Sequence, residues 1–167
     1  MTATARHEER TALMGMAIFM ASWAMLFAAL FFAYGLSRLR AHVWPPADLP
    51  PLPLALPALA TVVLAGSSAT LHKGRLIVAA GLGLVFLVLQ SVVWRHLLTA
   101  GLRPQTGAYA SYFFALTVFH ALHVLVGLVA LGWLALRPRP LPLRLWTIYW
   151  HMVGVIWGVM FLLVYVL

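Results

Sequence analysis

The sequence predicts an all-α fold: a polytopic membrane protein built as a five-transmembrane-helix bundle. Three observations carry this. Of 167 residues, 64% are hydrophobic and 8% charged, a balance that leaves a water-soluble domain too little polar surface and that a bilayer requires. The apolar residues gather in five runs, each near the ~20 residues that cross the hydrocarbon at about 1.5 Å rise per residue. The connections are short and rich in Pro, Gly and Arg. Helices are required, because lipid offers no partners to exposed backbone groups.

The first run spans residues 11–36; Glu8 and Glu9 precede it, and its length exceeds that of a signal-peptide apolar region, so no cleaved leader is expected. A connection holding Trp44-Pro45-Pro46 and further prolines leads to the second run, 53–71. Residues 72–75 make a tight turn into the third run, 76–97. The fourth run covers 109–136, a Pro/Arg-rich loop covers 137–144, and the fifth run covers 145–167. No connection is long enough to fold separately, so residues 1–167 read as a single membrane domain.

Basic residues assign the two sides. Arg6, Arg10, Lys73, Arg75, Arg137, Arg139 and Arg144 fall on the side of the N-terminus, against Arg38, Arg40, Arg95 and Arg103 on the other. By the positive-inside rule the N-terminus is expected in the cytoplasm of a bacterial inner membrane and the C-terminus outside. The formal charge of +8 comes from residues scattered at helix ends; such placement anchors helices at headgroups, and nucleic acid is not an expected partner.

The chemistry open to the chain is narrow. There is no cysteine, and the acids are Glu8, Glu9 and Asp48, all outside the apolar runs. Proton relays and di-iron centres that need buried carboxylates are therefore not expected within the spans. Histidines are the remaining candidates for a metal or haem. His120 and His123 share one face of the fourth helix, and His151 shares a face of the fifth with Gly154 and Gly158. Counted from the 137–144 side, His151 lies about 10 Å deep, and His123 and His120 about 20 and 24 Å. His72 and His96 sit at opposite membrane edges. With no pair at matching depth, the expected role of the imidazoles is hydrogen bonding between helices, and no metal or cofactor is expected in this chain. Gly154-Val155-Ile156-Trp157-Gly158 is a GxxxG pattern, which permits close backbone approach either within the bundle or to a partner helix.

Several phrases resemble subunit III of the haem-copper terminal oxidases. They are Gly15-Met16-Ala17-Ile18-Phe19, Phe31-Phe32-Ala33-Tyr34, Trp44-Pro45-Pro46, Leu89-Gln90, Phe119-His120-Ala121-Leu122-His123-Val124 and Tyr149-Trp150-His151-Met152-Val153 continuing to Trp157. Three places depart from the family pattern: Trp23 and Val93 stand where it has glutamate, and Gly154 where it has aspartate. The resemblance implies a short five-helix form without an internal lipid cleft. It also implies a non-catalytic subunit that supports assembly and stability of an oxygen-reducing, proton-pumping catalytic subunit. Haems and copper would then reside in the partners, subunits I and II, with membrane lipids around them. The alternatives are the related accessory subunit of nitric oxide reductase and, from another class, a haem-b membrane anchor or quinol-binding cytochrome. A small transporter is disfavoured by the absence of a charged site in the spans.

Overall fold

The computed structural model describes residues 3–46 and 49–167, and the side chains from residue 7 onward within them. Asp48 and the side chain of Arg6 lie outside the described residues. Five long helices account for the apolar runs: α1 (Ala3–Arg40), α2 (Ala55–His72), α3 (Leu76–Thr99), α4 (Ala108–Leu136) and α5 (Pro140–Phe161). A short 3-10 turn, Pro104–Thr106, precedes α4, and a π-helical turn, Leu162–Val166, continues α5. Each of the five is long and apolar enough to cross a membrane. The chain is a multi-pass membrane protein.

The turns are built where glycine allows them. Gly74 has φ +76° and Gly101 φ +95°. After α2, the Arg75 N–H donates to the Thr70 carbonyl and the Gly74 N–H to the Leu71 carbonyl; after α3, Leu102 and Gly101 repeat the pattern onto Leu97 and Leu98. Both are Schellman closures, which satisfy carbonyls that a helix end leaves free.

Three boundaries differ from the sequence reading, one of them the end of α1, which runs through residues 37–40, expected in the connection, to Arg40. The helix α1 starts well before residue 11, because Ala, Glu and Arg sustain a helix beyond the apolar run. Residues 140–144, expected in a loop, form the first turn of α5. Proline fits the first helical position, where its preset φ suits the helix and its missing N–H leaves no bond unmade.

Helices α2 and α3 form the tightest hairpin, α3 packs on α4, α4 on α5, and α5 returns to α2, closing a four-helix ring. The remaining helix, α1, leans on α4 and α5 from outside, burying Phe27 and Tyr34 and leaving Ile18, Met25 and Phe32 exposed. The core runs through α4, half of whose span is buried. Around the bundle Val62, Ile77, Val129 and Val155 face outward, as lipid or a partner helix requires. One end of the bundle joins the start of α1, the α2–α3 turn and the α4–α5 loop, and an exposed Glu9–Arg144 pair at 3.3 Å links the first and last of these. At the other end the Arg38 guanidinium donates to the carbonyl of Leu167. These are called the N-terminal and C-terminal ends of the bundle below.

Candidate functional site

The aromatic-histidine phrases of α4 and α5 meet inside the ring, and the meeting is organised by Trp150. Its indole is 1% exposed and lies against two glycines. A methyl placed on Gly83 of α3 would meet its ring atoms at 2.7 Å, and one placed on Gly127 of α4 would meet them at 2.6 Å. Absence of both Cβ atoms is thus what lets three helices share one indole. Its Nε1–H donates to Ser67 Oγ (3.0 Å), and that hydroxyl donates to the Ala79 carbonyl (2.7 Å).

The same device occurs twice more. Trp157 Nε1–H donates to Thr61 Oγ1 (2.9 Å), which donates to the Pro57 carbonyl one turn back. Trp94 Nε1–H donates to Thr117 Oγ1 (3.0 Å), which donates to the Phe113 carbonyl. In each case a hydroxyl takes the indole proton and passes its own to a helix carbonyl, so neither polar group is left bare in an apolar interior. Two of the relays tie α5 to α2 and one ties α3 to α4. Sequence reasoning missed Thr61, Ser67 and Thr117. The signal for them is a hydroxyl residue inside a span otherwise free of polar side chains.

The histidines take three different environments. His123 Nδ1–H donates to the Phe119 carbonyl (2.5 Å), which assigns the proton to that nitrogen. Its own carbonyl accepts from the Tyr149 hydroxyl (2.9 Å), and Trp23 and Phe27 close over its ring edge-on. His120, 1% exposed, packs against Trp157 at 5.2 Å and Phe86 at 5.7 Å between ring centroids. His151 Nδ1 shares a 2.6 Å hydrogen bond with Ser68 Oγ of α2.

His72 and His151, expected at different levels, have ring centroids 6.1 Å apart. Side chains lean toward the N-terminus of their own helix, and α2 and α5 run antiparallel, so the two imidazoles lean toward each other. Among the described residues no three of His, Asp or Glu gather as metal ligands. The rings of His120 and His123 are lined by Trp23, Phe27, Phe86 and Trp157.

Gly154 and Gly158 are not the point of closest internal packing: a Cβ on Gly154 would find only Ser68 Oγ at 3.9 Å, and one on Gly158 would find nothing within 4 Å. They line an open groove of about 330 Å³ between α2 and α5 with Thr61, Ala65, Ser68 and His151. Gln90 is buried on α3, beside the core position of Val93.

At the C-terminal end Trp44 and Pro45, joined by a cis peptide bond, form part of an aromatic collar. Trp44 Nε1–H donates to the Tyr34 hydroxyl (3.3 Å), and its ring meets Tyr34 and Tyr109 edge-on at 5.5 and 5.1 Å. Pro46 follows, its carbonyl accepting from the Leu49 N–H.

The family model for cytochrome c oxidase subunit III matches residues 4–167. The chain is 33% identical to cytochrome c oxidase subunit 3 of Synechocystis sp., covering 92% of this chain and 74% of that one. It is 33% identical to the subunit 3 of Thermostichus vulcanus, covering 92% and 86%, and 32% identical to the probable subunit 3 of Mycobacterium leprae, covering 90% and 85%.

Proposed function

This chain belongs to the cytochrome c oxidase subunit III family, and on that premise we propose that it holds a haem-copper catalytic subunit in an assembled, turnover-resistant state without taking part in the chemistry. The polar groups described above support this reading: the indole, hydroxyl and imidazole groups of Trp94, Trp150, Trp157, Thr61, Ser67, Ser68, Thr117 and His151 bond one helix to another or to the backbone. After Asp48 the sequence has no acidic residue at all, so side-chain carboxylates contribute nothing to proton transfer in α2 to α5. The places where the resembling family carries acids hold Trp23, which covers His123, Val93, which is core, and Gly154, which opens the groove.

The partners in this reading are subunits I and II, and haem and copper belong to them. The names of the matched relatives favour cytochrome c, rather than a quinol, as donor to the complex. The basic asymmetry puts the N-terminal end of the bundle in the cytoplasm of a bacterial inner membrane.

Affinity purification through a tag on this chain tests the reading. Expected in mild detergent are two larger co-purifying subunits and a Soret band that leaves with them when the complex is dissociated. One haem per chain retained by the isolated chain would overturn it in favour of an anchor cytochrome.

A further inference from the structure

At mid-span, polar atoms from three helices are left without protein partners. Gln90 on α3 and His120 on α4 are each 1% exposed, and the Gln90 amide oxygen and nitrogen, His120 Nε2 and the Tyr165 hydroxyl make no hydrogen bond. An amide, an imidazole and a phenol buried in an apolar interior pay the full loss of their water partners unless something replaces them.

The register of the helices brings these atoms together. The bond from Trp94 to Thr117 pins α3 antiparallel to α4, so Gln90, one turn back along α3, lies level with His120 and Ala121, one turn on along α4. Between α4 and α5 the pairs Phe113–Tyr165, His120–Trp157 and Gly127–Trp150 form three levels two turns apart. Tyr165 therefore starts two turns toward the C-terminal end from His120. Side chains lean toward their own helix N-terminus, so His120 leans toward the C-terminal end while Tyr165 leans back toward mid-span. The Tyr165 hydroxyl accordingly comes within reach of the Gln90 side chain, short of a closed hydrogen bond, and Trp157 packs on both His120 and Tyr165, at 5.2 and 6.4 Å.

We propose that Gln90, His120 and Tyr165 enclose a binding site for water at the centre of the bundle, so that α3, α4 and the end of α5 are joined through solvent rather than directly. The chemistry selects the ligand. The three side chains offer donors and acceptors but no formal charge, and their neighbours are Phe86, Phe113 and Trp157. An ion would find no counter-charge here, whereas a water molecule makes two to four hydrogen bonds in such a setting. Tyr165 also lines a cavity of about 200 Å³ at the C-terminal end, together with Tyr34, Trp44, Pro45 and Tyr109. The Ser68–His151 groove shares Trp157 with this site but is lined by none of Gln90, His120 and Tyr165.

The test uses the assembled oxidase complex in lipid nanodiscs, labelled with ¹⁵N-histidine, in water-edited solid-state NMR. The His120 signals are assigned by subtracting the spectrum of His120→Gln. The expected result is transfer of water magnetisation to the His120 imidazole, and its loss or weakening in Tyr165→Phe and Gln90→Leu. Absence of transfer in the unmodified complex, with an Nε2 shift showing a bond to the Gln90 amide, would overturn the proposal. If the variants fail to assemble, the unmodified complex decides by itself, and a high-resolution map adds a second readout: density within hydrogen-bond distance of all three side chains supports the site, and direct Gln90–His120 contact refutes it.

Discussion

Adding one methyl to either glycine that faces Trp150 should destabilise this protein more than adding it to the conspicuous GxxxG glycine. In Gly127→Ala the new carbon would sit 2.6 Å from Trp150 Cζ3, 2.7 Å from Cε3 and 3.1 Å from Tyr149 Cε1, roughly 1 Å inside the ~3.5–4.0 Å at which carbons attract. The indole has no room to retreat, since Gly83 of α3 abuts its other edge, with would-be contacts of 2.7 and 2.8 Å to Cζ2 and Cη2. Relief requires α4 to move from α5 or the indole to tilt off Ser67. Overpacking of this kind costs about 1–3 kcal/mol. Loss of the indole bond adds around 0.6 kcal/mol on the membrane scale, and the better helix propensity of Ala returns up to about 1 kcal/mol. The net expectation is about 1–3 kcal/mol of destabilisation for Gly127→Ala and for Gly83→Ala. The double variant should cost less than the sum, because both methyls displace the same ring. Gly154→Ala meets only Ser68 Oγ at 3.9 Å and should be neutral or more stable by up to about 1 kcal/mol. Unfolding of the purified chain in mixed micelles by increasing SDS, followed by tryptophan fluorescence, ranks the variants. Equal midpoints, or Gly154→Ala the least stable of the three, would refute the packing argument.

Thr117→Val and Thr61→Val keep shape but strand an indole N–H, and each should lower stability by about 1–2 kcal/mol in the same titration. His151→Ala and Ser68→Ala each break one interhelical bond, at a cost on the order of 1 kcal/mol; initial oxygen consumption of the complex should persist, while its yield and lifetime under turnover fall. Full assembly with no initial turnover in His151→Ala would show that the imidazole takes part in the chemistry. Reporter fusions should place the 137–144 segment in the cytoplasm and the C-terminus outside, and the reverse arrangement would invert the proposed orientation.

The positions of the five helices were legible in the sequence because crossing a bilayer is a one-dimensional requirement: a run of sufficient length and apolarity, closed by Gly, Pro or a charge, fixes each span nearly to its ends. α2, α3 and α4 begin and end within about two residues of the runs that predict them. Where the runs misled, at residues 3–10, 37–40 and 140–144, helix continued into polar sequence on propensity and on proline at its first turn. The phrases around His120, His123, Trp150 and His151 identified the family.

The faces on which these helices meet were decided by tertiary structure. In a span that is apolar all round, hydropathy marks no inner side, so the pattern that orients a helix in water is missing. Shape and a few polar pairs decide instead. Gly83 drew no notice in the sequence, yet with Gly127 it forms the slot for Trp150, whereas Gly154 and Gly158, the recognisable pair, line an open groove. Ser67, Thr61 and Thr117 matter because an indole from another helix ends at each hydroxyl, a coincidence of depth and rotation that no local pattern encodes. Composition and length determine that this chain spans the membrane five times; the fit of one buried tryptophan between two glycines, and of hydroxyls to indoles, determines how the five helices stand together.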